Sequence, residues 1–514
     1  MKKSILILFL FFSLSLFSQS SDLASLSTGT YAGSTGIYEK SDALFGYIVY
    51  YDYGLVDKFT KKMEYVILDK NLNKVANNVF ETEKYVSNYN ITRINHKREI
   101  KLRPNFDYSA TSIWNYKDQK MPQTRKINLE KNEISLDDDI CFKDKKFSDC
   151  PKDLTYRDMQ KDAKEERKKD LKYKSDVVIM EDGTYLVYEY YIDNDKISDN
   201  SYIKFDKDNK EIWRYEFNKD LKKKQFENTS VLNFDQENLY MVQTFYEKSK
   251  TTSMKFLRLD IKTGNVIVEI PITNFDAFDL NNIYNLKDSN GYSVGNKKVF
   301  DDKLVFLGRS YEKNRSNGPI GFYRFLFDKK TNTGKFEILK YTDALTKTDI
   351  KIEKNGGLSG SFFLAIRDVY ILADGTVNIM FEKIKYGNNG RSVATDLILF
   401  KTDINFVINE VKIFEKAKSV NESSDYLFSQ YLNNDKDLVF FYRDYEKDDG
   451  ASKKNWNLYI NTIKNGVFNQ EKIVISSKKD FFIIPSLAKE GYVLLREYNK
   501  DYKHNEVRLE RLNY

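Results

Sequence analysis

The chain has 514 residues and a formal charge of +7, with 41% hydrophobic and 15% aromatic residues. So many aromatic residues exclude a disordered or fibrous chain. Only 2 Cys, 2 His and 6 Pro are present, which excludes a dense disulfide framework and most Cys/His zinc sites. At roughly 150 residues per domain the length would allow about three domains, unless the chain is one large repeat array.

The first segment of the chain has the composition of a secretory signal peptide. Two lysines precede an apolar run over 5–17, and serines suited to cleavage follow within 18–21. The run is shorter than the ~20 apolar residues that a membrane span needs. We therefore expect 1–19 to be a signal peptide and the mature chain to have no membrane span. The sequence predicts export to the periplasm or the extracellular space.

The positive charge is spread thinly along the chain. The segment 161–174 has the densest lysines, but acidic residues are mixed through it, as on the solvated face of a helix. Nucleic-acid binding usually shows a concentrated basic stripe, so we expect no nucleic-acid partner. We also expect a monomer.

From residue 176 onward one pattern recurs. A turn of two polar residues leads into a β-rich run, which ends in an aromatic residue and then charged residues. The runs are rich in Val, Leu, Tyr and Phe, as strands with a buried face are. Counted at the second turn residue, the starts are 183, 238, 303, 375, 437 and 491.

Each of these runs has the same companions. A short apolar strand precedes the turn, as at 176–180 and 481–485, and a hairpin follows, as at 203–217 and 257–270. The hairpin centres carry Asp, Asn, Gly and Lys, the residues of tight turns. One unit is therefore four antiparallel strands in about 60 residues, and stacking such units buries faces that a single unit leaves exposed.

Two further units are predicted earlier in the chain, with starts near 46 and 98. The last unit has only three strands before the chain ends. We expect its fourth strand to come from 26–31, which would leave no free sheet edge. The sequence therefore predicts an all-β fold in which 20–514 forms one ring of about eight, alternatively seven, four-stranded sheets.

Two of the hairpins carry a more specific pattern. Asp206 and Trp213 in one hairpin, and Asp260 and Gly264 in another, are placed as in quinoprotein-type blades. With this pattern the chain resembles the β-propeller superfamily with quinoprotein-like blades. Its richness in Lys, Asn, Tyr and Phe also resembles that of uncharacterised exported bacterial propeller proteins. The resemblance implies a rigid β-propeller whose loops carry the function.

The segment 137–175 interrupts the repeat between the second and third units. It contains Cys141 and Cys150, followed over 154–173 by a charged stretch whose composition favours a helix. In an exported protein we expect the two cysteines to form a disulfide; two free thiols or a metal site are the alternatives. Quinoprotein dehydrogenases have adjacent cysteines, whereas Cys141 and Cys150 are nine positions apart. We therefore expect no cofactor of that class. The acids at 137–139 lack the EF-hand spacing, and we expect no metal.

The predicted topology places most long loops on one side of the ring. In a four-stranded meander, the connections between second and third strands and those between sheets emerge at the same face, which we call the loop face. Variable loops on a rigid scaffold are where binding usually takes place. Six second strands end there in an aromatic residue that either contacts a ligand or packs within the fold. These residues are Tyr190, Tyr246, Tyr311, Phe381, Tyr445 and Tyr498.

The sequence favours binding over catalysis. His96 and His504 are the only imidazoles, both in turn-like segments, and no Gly-x-Ser-x-Gly motif is present. With only two histidines, the chain has few residues that could serve as the base of a Ser–His or Cys–His catalytic site. We expect a non-catalytic exported protein that binds a protein or glycan partner on the loop face. The alternative is a carbohydrate-active enzyme that uses two carboxylates at the central pore. Because the chain has 76 acidic residues, the sequence does not identify which two those would be.

Overall fold

The structure is a computed structural model. It describes residues 19–39, 43–106, 116–137, 153–167, 172–180, 182–191, 200–217, 221–222, 224–248, 250–273, 275, 286–287, 293–294, 298–300, 302–312, 319–387, 392–420, 424–447, 454–475, 481–501 and 503–512.

Antiparallel sheets account for almost all of the regular structure. In the described ranges, seven sheets have four strands, one has six and one has two. We number the eight larger sheets in chain order. Sheet 1 contains Thr30–Tyr38, Leu44–Leu55, Thr60–Asp69 and Lys74–Glu83; sheet 2 contains Val86–Ile91, Glu99–Phe106, Arg125–Asn128 and Glu133–Leu136; sheet 3 contains Lys172–Ile179, Tyr185–Tyr191, Asn200–Phe205 and Glu211–Phe217; sheet 4 contains Gln225–Phe234, Asn238–Glu247, Lys250–Asp260 and Val266–Pro271.

The second half of the chain repeats this plan. Sheet 5 contains Lys298–Phe300, Lys303–Tyr311, Pro319–Asp328 and Thr333–Lys340; sheet 6 contains Gly357–Leu358, Phe362–Ile371, Val377–Tyr386, Ser392–Thr402, Ile408–Phe414 and Ser419–Val420; sheet 7 contains Tyr426–Leu432, Asp437–Lys447, Lys454–Lys464 and Val467–Val474; sheet 8 contains Phe481–Leu487, Tyr492–Asn499, Asn505–Arg511 and the N-terminal strand Ser20–Asp22. The two-stranded sheet pairs Leu286–Lys287 with Ser293–Val294. The prediction of an all-β fold with four-stranded antiparallel sheets is confirmed.

The β-rich runs are second strands that are buried on both faces. In sheet 7, Leu438 and Phe440 belong to a cluster shared with sheet 6, whereas Val439 and Phe441 belong to a cluster shared with sheet 8. Successive side chains of a strand point to opposite faces. A strand covered on both faces therefore needs an uninterrupted apolar run, and this is the run that repeats in the sequence.

Apolar clusters join each described sheet to a neighbour in the chain. Seven such clusters link sheets 1 and 2, then each consecutive pair from sheet 3 to sheet 8, and finally sheet 8 and sheet 1. The last cluster packs Leu494 and Val507 of sheet 8 with Tyr47 and Val49 of sheet 1. This arrangement is consistent with a propeller, in which neighbouring sheets bury each other's faces.

The fourth strand of sheet 8 comes from the start of the chain. Ser20–Asp22 pairs antiparallel with Asn505–Arg511. The sequence placed this strand at 26–31, but Thr30–Tyr38 is instead the first strand of sheet 1. A short, polar strand at an outer edge has no apolar alternation, so the hydrophobic pattern could not locate it.

One α-helix, Tyr156–Arg167, lies in the described part of the segment between sheets 2 and 3. The backbone N–H of Asp158 donates to Thr155 Oγ1 at 3.2 Å, which caps its first turn. The first strand of sheet 3, Lys172–Ile179, begins inside the interval 154–173 whose composition favours a helix.

Short 3₁₀ turns occur at Tyr116–Asp118, Tyr341–Lys347 and Ser359–Ser361. Cys141 and Cys150 lie outside the described residues, so their disulfide stays a prediction. Within the described ranges, no helix is long and apolar enough to cross a membrane.

Candidate functional site

Three grooves of the described surface open on the loop face. Groove 1 has a volume of about 740 Å³ and lies where sheet 1 meets sheet 2. Groove 2, about 480 Å³, runs beside Glu83 and Arg125 in sheets 1 and 2. Groove 3, about 550 Å³, lies between sheets 5 and 6 beside Arg367 and Tyr386. Groove 1 is lined by Thr28, Gly29, Thr30, Tyr31, Ala32, Asp52, Tyr53, Gly54, Lys61, Lys84, Tyr85, Val86 and Ser87.

Three tyrosines stand in the wall of groove 1. Tyr31 belongs to the first strand of sheet 1, Tyr53 to the end of its second strand, and Tyr85 to the connection that leads to sheet 2. Tyr53 is 40% exposed, while the other two are half-buried. Tyrosine presents an apolar face and a hydroxyl at one position, which suits a binding surface that is partly wet.

The Tyr53 ring is held in place by a buried carboxylate. Its hydroxyl donates to Glu64 Oε2 at 2.8 Å, and Ser27 Oγ donates to the same oxygen at 2.7 Å. Asn77 Nδ2 donates to Glu64 Oε1 at 2.7 Å. Burial raises the pKa of Glu64, but these three hydrogen bonds and the charge of Lys74 together outweigh burial, so its pKa lies below the ordinary 4.5. The ring is therefore ordered before any ligand arrives, which reduces the entropy lost on binding.

An ion pair lies beside the tyrosines. Lys61 Nζ is 2.6 Å from Asp52 Oδ2, with side-chain exposures of 10% and 30%. Asp52 Oδ1 also accepts from the backbone N–H of Gly54 at 2.7 Å, where the positive φ of 89° favours glycine. An ammonium has three N–H donors and a carboxylate about four acceptor positions, so both groups keep capacity for a polar ligand.

Gly29 gives groove 1 its shape next to the Tyr53 ring. A Cβ atom at this position would lie 2.9 Å from Tyr51 Cβ and 3.0 Å from Tyr53 Cε2. Both distances are shorter than carbon atoms tolerate without movement. A side chain at residue 29 would therefore displace the ring or the strand that carries it.

The predicted aromatic residues pack mainly within their own sheets. The ring-centroid distances to an aromatic neighbour of the same sheet are 5.2 Å for Tyr190, 4.4 Å for Tyr246, 5.1 Å for Tyr445 and 5.4 Å for Tyr498. Tyr445 is only 9% exposed, and its hydroxyl donates to a backbone carbonyl at 2.7 Å. Tyr311 is half-buried at the end of its strand. The structure does not bring these residues together at one groove.

Phe381 lies in the interior. It is 0% exposed and packs against Phe322, Tyr341 and Phe400 between sheets 5 and 6. It stands six residues after the turn, whereas its five counterparts stand seven or eight residues after theirs. It therefore lies within the strand Val377–Tyr386, where neighbouring sheets cover it, and not at the end of that strand. Tyr386, at the end of the same strand and 65% exposed, lines groove 3 together with Tyr341 and Phe363.

Sequence reasoning missed Tyr53 although a signal for it was present. It stands seven residues after the unit start near 46, the same offset that separates Tyr190 from 183 and Tyr498 from 491. The predicted aromatic series covers only the units from residue 176 onward. Extending it to the first unit would have placed Tyr53 on the loop face.

The densest buried charge lies between sheets 6 and 7. Lys416 Nζ is 2.6 Å from Asp425 Oδ2 and 3.6 Å from Glu382 Oε1, and these side chains are at most 1% exposed. Arg367 Nε contacts Glu382 at 2.7 Å, and Arg443 Nε contacts Asp425 at 3.2 Å. Both carboxylates are enclosed and paired with cations, so this cluster supports the sheet contact and offers no open acid–base pair.

The acids of groove 2 and the two imidazoles of the chain give little support to catalysis. In groove 2, Arg125 donates two 3.1 Å hydrogen bonds to the Glu83 carboxylate. His96 is exposed in a turn of sheet 2, and the His504 ring lies 5.3 Å from that of Phe481. Among the residues that the structure describes, no group of three or more His, Cys, Asp or Glu side chains is arranged to hold a metal.

Comparisons with known proteins identify no family. No family model and no curated protein match the chain. Among solved structures, a eukaryotic initiation factor aligns with a TM-score of 0.36 and 9% identity, over 95% of this chain and 90% of its own. An ulvan lyase bound to a GlcA–Rha3S saccharide gives 0.29 and 11%, over 93% and 91%. The WD40 domain of SCAP from fission yeast gives 0.26 and 9%, over 82% and 92%. Similarities this low assign neither the fold nor the activity.

Proposed function

We propose that this chain is an exported β-propeller of eight blades that binds a glycan in groove 1, and that it is not an enzyme. The observation that carries the proposal is Tyr53. This residue is 40% exposed on the loop face, and its hydroxyl is fixed by the buried Glu64. A preordered aromatic ring beside polar groups with spare hydrogen-bonding capacity is suited to the apolar and hydroxyl faces of a sugar.

Several observations support eight blades in a ring rather than seven. Each of the eight sheets has at least four strands, and a cluster joins sheet 8 to sheet 1. The quinoprotein-like pattern also has a physical role in contacts between sheets. Trp213 of sheet 3 donates from Nε1 to the Ile261 carbonyl at 3.0 Å, and its ring lies against Gly264 in the next sheet.

Export is proposed from the N-terminal sequence. The apolar run at 5–17, preceded by lysines, is typical of a signal peptide. In an oxidising compartment the disulfide between Cys141 and Cys150 would form. Mass spectrometry of the exported protein with and without reduction tests this pairing, because a disulfide lowers the mass by two hydrogens.

The dimensions of groove 1 favour a glycan. Its volume of about 740 Å³ falls within the range of pockets that hold small organic ligands. The Lys61–Asp52 pair, with N and O 2.6 Å apart, supplies donors and acceptors for vicinal hydroxyls.

A protein partner is the second candidate, and one observation favours it. Leu55 and Val56 follow Tyr53 at the tip of the same hairpin and are 59% and 52% exposed. Exposed apolar residues next to a polar groove are a feature of protein contact sites. The double variant Leu55→Ser and Val56→Ser would weaken binding to a protein partner and leave glycan binding intact.

The test is binding of the purified protein to a panel of immobilised plant, algal and bacterial oligosaccharides. We expect Tyr53→Ala to weaken binding of the best oligosaccharide by at least about tenfold, which is about 1.4 kcal/mol. Tyr386→Ala is the control, because it removes an exposed loop-face tyrosine at groove 3. If both variants bind as the wild type does, groove 1 is not the site.

The alternative, a carboxylate-based carbohydrate-active enzyme at the central pore, makes a different prediction. Such an enzyme needs two carboxyl groups about 5–10 Å apart that reach a substrate. In the lining of groove 1, Asp52 is the one carboxylate, and Lys61 and Gly54 already contact it. Release of reducing ends or of unsaturated products from the same oligosaccharides would support the enzyme and contradict the proposal.

A further inference from the structure

The N-terminal segment Gln19–Leu23 connects the last sheet to the first. Beyond the paired strand Ser20–Asp22, the backbone N–H of Leu509 donates to the Gln19 carbonyl at 2.8 Å. At the other end, the N–H of Leu23 donates to the Asn505 carbonyl at 2.8 Å. The ladder therefore extends over the whole of Gln19–Leu23.

Gln19 also contributes its side chain. Lys489 Nζ donates to Gln19 Oε1 at 3.1 Å and to Asn71 Oδ1 at 2.8 Å. Lys489 precedes the second strand of sheet 8, and Asn71 lies in a turn of sheet 1. Lys489 thus connects Gln19 to both sheets.

The other end of the segment is anchored in the core. Leu23 is 1% exposed and belongs to the cluster that joins sheets 8 and 1. Its carbonyl accepts a 2.6 Å hydrogen bond from the buried Tyr51 hydroxyl. Loss of the residues before Leu23 would expose the edge of Asn505–Arg511 to solvent and to other strands.

We propose that the chain is processed at the Ser18–Gln19 bond, so that Gln19 is the first residue of the mature protein. Water adds across this peptide bond, leaving a carboxylate on Ser18 and an α-amine on Gln19. This inference rests on the proposed export. It moves the boundary one residue earlier than the 1–19 signal peptide that the sequence predicts.

The pattern of small residues does not choose one bond. Serines at 18, 20 and 21 allow cleavage anywhere between Ser18 and Ser21. Cleavage after Gln19 or Ser20 would remove Gln19 with both of its interactions. Of the bonds in this interval, only Ser18–Gln19 leaves Gln19 in the mature chain.

The first test is the N-terminal sequence and intact mass of the protein exported from a bacterial host that expresses residues 1–514. The expected first residue is Gln19. A mature protein that begins at Ser20, Ser21 or later overturns this inference and leaves the proposed export intact. A protein that retains residues 1–18 overturns both.

The second test is a matched pair of proline variants in the chain 19–514. In an antiparallel ladder the bonded pairs alternate; with residues 19 and 23 bonded, the N–H of Ser21 faces Val507, its partner in the register. The N–H of Ser20 faces away from that strand. We expect Ser21→Pro to lower the thermal midpoint and to speed proteolysis, and Ser20→Pro to behave as wild type. Equal behaviour of the two variants would show that the closing strand does not need this ladder, and the inference would fail.

Discussion

At the residue scale, groove 1 depends on a carboxylate that is almost wholly out of solvent. Glu64 is 5% exposed, and it accepts hydrogen bonds from Ser27, Tyr53 and Asn77. Sequence could not single out this glutamate among 76 acidic residues. Its importance comes from three partners that are distant in the chain or on another strand, and only the folded sheet brings them together.

Glu64 gives the first prediction. Its folded-state pKa lies below the ordinary 4.5, so its stabilisation is complete above that value and is lost as the pH falls through the lower, folded-state pKa. Glu64→Gln removes the charged acceptor and should cost about 1–3 kcal/mol of unfolding free energy at about pH 7. It should also reduce the loss of stability in acid. Urea unfolding at several pH values measures both effects.

The control is Glu81→Gln, because Glu81 is an exposed carboxylate of the same sheet. It should change stability by less than about 0.5 kcal/mol. If Glu64→Gln and Glu81→Gln have the same acid dependence, Glu64 does not hold Tyr53 in the way described.

Asp235 gives a second prediction at this scale. Burial raises its pKa, but a hydrogen bond from Lys329, with backbone N–H groups and the lysine charge, outweighs burial and lowers the pKa from 3.8 to about 2. Its stabilisation is therefore complete above about pH 4 and is lost as the pH falls towards about 2, a contribution of about 2 kcal/mol. Asp235→Asn should remove this acid-labile part. Thermal unfolding between about pH 2 and pH 5 measures it.

At the element scale, hairpins were the most predictable features. Both predicted hairpins at 203–217 and 257–270 are present, because their turns carry residues that tolerate positive φ, such as Asn209 and Gly264. First strands were predicted too short: the apolar stretch at 481–485 lies within Phe481–Leu487. Polar residues extend these strands, and hydrogen bonding to the neighbouring strand decides their length.

The contact between Trp213 and Gly264 gives the third prediction. Gly264 has a φ of 75° and a Cβ atom there would lie 2.7 Å from the Trp213 ring; Gly466 has the same φ and nothing within 4 Å. Gly466→Ala should therefore cost about 1–2 kcal/mol for the left-handed backbone alone. Gly264→Ala should cost a further 1–3 kcal/mol, approximately, for the displaced ring.

Chemical denaturation of the two glycine variants measures the difference. Equal losses of unfolding free energy in the two variants would show that Trp213 does not pack against the turn of the next sheet. The quinoprotein-like pattern would then have no part in the contact between sheets 3 and 4.

At the scale of the whole molecule, the spacing of the repeat was more informative than the chain length. The length allowed about three domains, whereas eight sheets follow one another, with shared clusters linking sheet 3 through to sheet 8 and on to sheets 1 and 2. The closing strand was foreseen but misplaced, because three polar residues carry no periodic signal. Groove 1 was not foreseen, because it forms where separate strands and connections meet.

The buried charges between sheets 6 and 7 give the fourth prediction. Lys416→Met would leave Glu382 and Asp425 without the cation between them, and breaking a buried pair in this way costs about 3–5 kcal/mol. Lys418→Met is the control, since Lys418 is an exposed lysine of the same connection. Guanidinium unfolding should show a large loss of unfolding free energy for Lys416→Met and almost none for Lys418→Met. Similar losses in the two variants would show that the buried charges do not stabilise the contact between sheets 6 and 7.

A crystal structure of the protein with the oligosaccharide that binds it best would locate the binding site. We expect sugar density in groove 1, with a ring beside Tyr53 and hydroxyls within hydrogen-bonding distance of Asp52 or Lys61. Density at the predicted central pore or in groove 3, with groove 1 empty, would show that groove 1 is not the site.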